Sequence, residues 1–241
     1  MYSAFAPSGQ ERPVIIPAGT VELAGDLSVP AAATGLVLFA HGSGSSRHSP
    51  RNRRVATELN AAGLGTLLFD LLTPDEESDR SNVFDIAALA GRLTEVTAWL
   101  RKQPVSQNSA IGYFGASTGA AAALRAAAAP AAEGPSSAEA PSSGPISSIV
   151  SRGGRPDLAD DVLPDVTAPT LLIVGDRDRA VLGLNRQAQQ RLRCENHLAI
   201  VPGATHLFEE PGALDTVTRL ARDWFLTHLP RPDDAHSSPA T

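Results

Sequence analysis

The sequence predicts an α/β domain built on a mostly parallel central sheet of about eight strands, with helices on both faces. Three observations carry this. Short apolar runs at 36–40, 66–70, 110–114, 146–150, 171–174 and 198–201 suit strands buried on both faces. Segments with helical periodicity at 53–62, 83–102, 118–129, 181–193 and 213–229 are interspersed among them, and strand–helix alternation implies parallel pairing. A chain of 241 residues, 42% hydrophobic and 19% charged, is long enough to bury a sizeable core.

Taken in order, residues 14–17 and 21–27 flank a Gly/Thr turn, and the second run alternates apolar with polar, so the chain opens with an antiparallel pair. Each later strand feeds a loop and, in most cases, a helix. The final helix, 213–229, carries Leu214, Val217, Leu220, Ala221 and Trp224 on one face. Trp99 and Trp224 have apolar neighbours at helical spacing and read as core. Residues 130–145, PAAEGPSSAEAPSSGP, hold nothing to bury and are expected to form a flexible low-complexity loop. The tail 230–241 is polar and expected to be disordered, leaving one domain over 1–229.

Composition excludes several functions. A formal charge of -6 and a pI near 5.5 give no basic footprint, so no nucleic-acid partner is expected. Cys194 stands alone, so neither a disulfide framework nor a thiolate metal cluster can form, and the thiol reads as idle. His48, His197, His228 and His236 lack metal-ligand spacing, so no metal is expected, and nothing in the sequence calls for another cofactor. Residues 1–13 lack the basic start and unbroken apolar core of a secretion signal. No run approaches the roughly 20 apolar residues of a spanning helix. The expectation is a cytoplasmic protein, monomeric or homodimeric, with no membrane partner.

Four loops at strand ends carry the chemistry. Gly115-Ala116-Ser117-Thr118-Gly119 joins a strand directly to a helix, the context in which a G-x-S-x-G turn presents a nucleophilic serine. Small residues suit that turn, because Ser117 must take a strained backbone conformation while strand and helix pass closely. The lesser alternative, on the pattern alone, is an ordinary Gly-rich turn with a passive serine. His41-Gly42-Ser43-Gly44 follows the 36–40 strand at the same sheet edge. Acyl transfer needs two donors aimed at a developing oxyanion, assigned here to the backbone N–H groups of Ser43 and Thr118, with Gly42 as the fallback donor and a substrate contact. This loop lacks both G-x-x-x-x-G-K-[ST] and G-x-G-x-x-G, so nucleotide binding is disfavoured. His41 reads as a structural donor beneath it.

A serine hydroxyl needs an imidazole to take its proton, and the imidazole needs a carboxylate to fix its tautomer. His206 follows the 198–201 strand, and Asp176 and Asp178 follow the 171–174 strand. Asp178 is preferred because it stands just before the next helix; Asp176 remains open, with Asp157 and Asp160 further behind. Arg47 and its basic neighbours Arg51, Arg53 and Arg54 follow the oxyanion loop. They could select an anionic substrate, Arg47 foremost, or simply form a solvated helix start.

With these residues in hand, the chain resembles the dienelactone hydrolase-like group of α/β hydrolases from about Val14 to Leu229. FAHGSGSSRHSPRN (39–52), LLFDLLTPDEE (67–77), GYFGASTGAAAAL (112–124), APTLLIVGDRD (168–178) and GATHLFEEPGAL (203–214) carry the resemblance. It is also similar to small hydrolase domains found beside phosphoribosyltransferase domains, although no transferase segment is recognisable here. The resemblance implies an α/β-hydrolase fold with Ser117 as nucleophile, Asp178 as acid and His206 as base. Two positions depart from the pattern: dienelactone hydrolases proper use Cys where Ser117 stands, and Asp176 replaces a usual Gly. Residues 151–169 leave no room for a long helical cap. The expected function is hydrolysis of small or short-chain soluble carboxylic esters, with an amidase or peptidase, or a silent binding module, as alternatives.

Overall fold

The computed structural model describes residues 11–106, 109–128 and 145–229. The expected tail and all but Pro145 of the low-complexity loop lie outside them. The antiparallel opening consists of β1 (Arg12–Ala18) and β2 (Val21–Ser28), paired from Arg12↔Leu27 to Ala18↔Val21. Then follow β3 (Gly35–Ala40), α1 (Pro50–Ala61), β4 (Gly65–Phe69), α2 (Pro74–Glu77), α3 (Arg80–Phe84), α4 (Ile86–Arg101), β5 (Ala110–Ala116) and α5 (Thr118–Ala128). The chain continues through β6 (Ser148–Arg152), a 3-10 segment (Pro156–Asp165), β7 (Thr170–Gly175), α6 (Arg179–Arg191), β8 (Asn196–Val201) and α7 (Ala213–His228). The strands form one sheet in the order β1-β2-β4-β3-β5-β6-β7-β8, parallel from β4 to β8.

The central strands separate two cores because successive side chains point to opposite faces. In β3, Leu36, Leu38 and Ala40 join the layer under α4 and α5. Val37 and Phe39 join the layer under α1 and α7, where Val217, Ala221 and Phe225 are fully buried. Helix α5 is buried almost throughout, and its alanines keep it thin enough to lie between the sheet and its neighbours.

Two expected boundaries shift. The periodicity at 83–102 predicts one helix, but Asp85 interrupts it at ψ 84° and caps α4 by accepting from the Ala88 N–H. Ahead of it lies the unexpected α2, started by a reciprocal capping box between Thr73 and Glu76. Helix α1 begins at Pro50, three residues earlier than its periodicity suggests, because Ser49 caps it and proline suits the first turn. Among the described residues no helix is long and apolar enough to cross a membrane.

Candidate active site

All loops singled out by sequence leave the sheet at the carboxyl ends of its parallel strands. Between β5 and α5, Ser117 sits at φ 51°, a left-handed conformation that costs a non-glycine residue roughly 1–3 kcal/mol. Three backbone hydrogen bonds offset that cost: the Ser117 N–H donates to Arg152 O (3.2 Å), and its carbonyl accepts from Ala120 (3.1 Å) and Arg155 (3.1 Å). The flanking glycines are sterically required. A Cβ at Gly115 would stand 2.4 Å from Ala120 Cα, and one at Gly119 would stand 2.1 Å from the Ala40 carbonyl oxygen.

Asp178 and His206 meet: Asp178 Oδ2 lies 2.6 Å from His206 Nδ1. The carboxylate can only accept, so Nδ1 carries the hydrogen and the Nε2 lone pair is left for another partner. Asp178 stands at the N-cap of α6 yet makes no side-chain cap bond, its carboxylate being turned to the imidazole instead. Asp176 is exposed. Asp157 pairs with Arg155 and Asp160 with Arg191. The end of β6 links the serine to the histidine: Arg152 O receives the Ser117 amide, and a Cβ on the adjacent Gly153 would stand 3.4 Å from His206 Nδ1 and Cε1.

The loop bearing His206 is tied down on both sides. Thr205 donates its N–H to Glu210 Oε1 (3.1 Å), and bonding from Thr205 holds the Glu210 carboxyl below the usual range. Arg51 reaches Glu209 at 3.0 Å. Phe208, itself at φ 56°, lies under the Arg152 guanidinium, 5.9 Å from its ring centroid. Arg152 is buried, and desolvation, then the nearby Arg51 charge, pushes its guanidinium down to about 10. Neither Gly153 nor Arg152 carries a sequence motif that would have marked it.

On the opposite side, His41 Nε2 accepts from the Leu71 N–H (3.1 Å), so Nδ1 is the protonated nitrogen and donates to Gly42 O (3.0 Å). His41 thus braces the loop against the end of β4. The two expected oxyanion donors differ. The Thr118 N–H has no acceptor among the described residues, as befits the first turn of a helix. The Ser43 N–H already donates to Thr118 Oγ1 at 2.9 Å.

Arg47 does not take the position expected of a substrate contact. Its guanidinium and backbone N–H both bind Asp70, and Nε lies 3.6 Å from Asp26. Arg51, Arg53 and Arg54 are likewise paired with Glu209, with Glu11 and Asp26, and with Glu58 and Asp215. The basic cluster is engaged in ion pairs, all but Arg54–Glu58 joining separate segments of the chain. Gly42 does line a small pocket, together with Ser43, Thr118, Leu71, Leu72, Val83, Leu89 and Glu77. The aliphatic wall comes from the β4–α4 connection and the first turn of α4; the sequence could have flagged the connection only through its Thr73/Glu76 capping pattern.

No family model matches the chain. Over 230 residues, 95% of its length, it is 55% identical to a Mycobacterium tuberculosis protein provisionally named phosphoribosyl transferase, and it spans about half (49%) of that protein. It is 52% identical to a dienelactone hydrolase from Anabaena variabilis whose crystal structure superposes with a TM-score of 0.83, covering 92% of this chain and 99% of that one. Est1E from Butyrivibrio proteoclasticus, 17% identical with a TM-score of 0.73 over 92% of this chain and 99% of its own, shares the fold.

Proposed function

The chain belongs to the dienelactone hydrolase family, and from that premise we propose that it is a serine hydrolase of small, short-chain carboxylic esters. The observation that carries this reading is the 2.6 Å bond between Asp178 and His206, at the same sheet edge as a serine strained to φ 51°. His206 Nε2 takes the Ser117 proton as Oγ attacks the carbonyl carbon, and Asp178 stabilises the imidazolium. The carbonyl π pair moves to oxygen, and that charge is held by the backbone N–H of Thr118 with that of Gly42, the Ser43 N–H being already engaged by Thr118 Oγ1. Collapse expels the alcohol, which takes the proton from His206. Water then attacks the acyl-enzyme with His206 again as base. Each step uses this chain's own side chains and backbone donors together with water.

The pocket supports the substrate range. Its aliphatic wall of Leu71, Leu72, Val83 and Leu89 stands beside Gly42, Ser43 and Thr118, an apolar lining suited to a short acyl group. Glu77 is the exposed charged residue on its wall, while Asp70 is neutralised by Arg47, so neutral acyl groups are favoured over anionic ones. The transferase name of the mycobacterial relatives stays with those proteins.

The test is a fluorophosphonate probe and a chain-length series of p-nitrophenyl esters, applied to wild type and Ser117→Ala. Labelling and short-chain hydrolysis lost together in the variant are the expected result. Folded wild-type protein that neither labels nor hydrolyses any ester would sink the reading.

A further inference from the structure

The loop after β3 and the first residue of α5 meet in a hydrogen bond that the chemistry above does not require. The Ser43 N–H donates to Thr118 Oγ1. Thr118 is buried, with 3% of its surface exposed. A hydroxyl that accepts one bond still carries its own hydrogen, which needs an acceptor. Helical threonines commonly place it on the carbonyl four residues back, as Thr94, Thr97 and Thr218 do here. Thr118 cannot, because no helical turn precedes it. Among the described residues its only side-chain bond is the one it accepts from Ser43.

What Thr118 does face is the pocket, which it lines with Gly42 and Ser43. Its unpaired backbone N–H belongs to the same residue, next in the chain to Ser117. We propose that the Thr118 hydroxyl is a side-chain donor of the oxyanion hole, held in orientation by the Ser43 N–H. This inference rests on the ester-hydrolase reading and deepens it. As the bond from Ser117 Oγ to the carbonyl carbon forms, the π pair collects on oxygen while the serine proton passes to His206. Thr118 then offers that oxygen two donors, N–H and Oγ1–H. A hydroxyl that is itself accepting a hydrogen bond is polarised into a better donor. The Ser43 amide, assigned to the oxyanion by sequence, therefore acts at one remove through Thr118. Because the oxyanion gains more from these donors than the neutral carbonyl does, the hydroxyl acts on kcat and leaves KM nearly unchanged.

Thr118→Val deletes the hydroxyl at constant shape, and Thr118→Ser retains it. Both are assayed with p-nitrophenyl acetate and with a trifluoromethyl ketone, whose serine adduct places an oxyanion in the hole. Thr118→Val is expected to lose roughly 10²-fold in kcat and a similar factor in ketone affinity, with KM within about twofold. Thr118→Ser is expected to recover to within about threefold of wild type on both measures. A Thr118→Val enzyme with kcat at or above the wild-type value would overturn the proposal, as would equal losses in the two variants, which would indicate packing. Ser117→Ala run in parallel separates the layers: if it turns over like wild type, the ester-hydrolase reading fails and takes this inference with it.

Discussion

Replacing Gly119 with alanine tests whether the elbow holds its parts in the geometry that the chemistry requires. The added Cβ would stand 2.1 Å from Ala40 O and 2.4 Å from His41 O. The shorter distance is 1.3 Å inside the 3.4 Å at which ordinary contact begins (3.4 − 2.1). Both obstructing atoms are backbone and cannot rotate away, so the N-terminus of α5 and the end of β3 must separate by about 1 Å. Overpacking of this kind costs roughly 1–3 kcal/mol, which for a domain this size lowers Tm by about 3–10 °C. The same displacement carries Ser117 and Thr118 away from the 42–43 loop, and a shift of about 1 Å at a reacting centre costs about 10²-fold in rate. Thermal melts and kcat/KM on a short p-nitrophenyl ester measure both effects. Gly183→Ala in α6 is the control, since nothing lies within 4 Å of its Cβ; it should stabilise by about 0.5–1 kcal/mol without changing turnover. A Gly119→Ala protein that melts and turns over like wild type would refute the steric reasoning.

Two further substitutions separate competing assignments. Asp178→Asn should lower kcat by about 10³–10⁴-fold by releasing the His206 tautomer, whereas Asp176→Asn should stay within about threefold of wild type; steady-state kinetics on the pair decides between the two carboxylates. Tyr113, whose phenol is pushed up to about 12 by burial, stays neutral in the fold above the pH near 10 at which an unfolded tyrosine ionises. Its raised folded-state pKa leaves stability untouched below pH 10. Wild type should then lose roughly 1.4 kcal/mol per pH unit from 10 to 12 relative to Tyr113→Phe, read by denaturant melts at pH 8 and 11. Parallel pH slopes for the two proteins would count against a neutral buried phenol.

The parts of the fold legible in the sequence are those that local chemistry dictates. The β3, β5 and β7 runs had to be apolar because both faces are covered, and Gly115 and Gly119 had to be small because backbone passes within contact of each. Asp178 was favoured by its place before α6, which is also why its carboxylate, free of capping, can meet His206. What stayed hidden depends on long-range partners. A basic run after the oxyanion loop resembles an anion filter until Asp26 and Asp70 arrive from β2 and the end of β4 to neutralise Arg47. Periodicity ran straight through Asp85, although that residue caps a new helix. The Ser43 to Thr118 bond joins residues 75 positions apart through one side-chain rotamer, which no local pattern encodes.

The most direct test of the Ser117, His206 and Asp178 assignment is rapid-quench mass spectrometry of the enzyme during turnover of a p-nitrophenyl ester, with peptide mapping of any adduct. The account predicts an acyl mass on Ser117 that forms in the burst, decays with water and is absent in Ser117→Ala. Steady hydrolysis with no adduct on Ser117, or undiminished hydrolysis by Ser117→Ala, would contradict it.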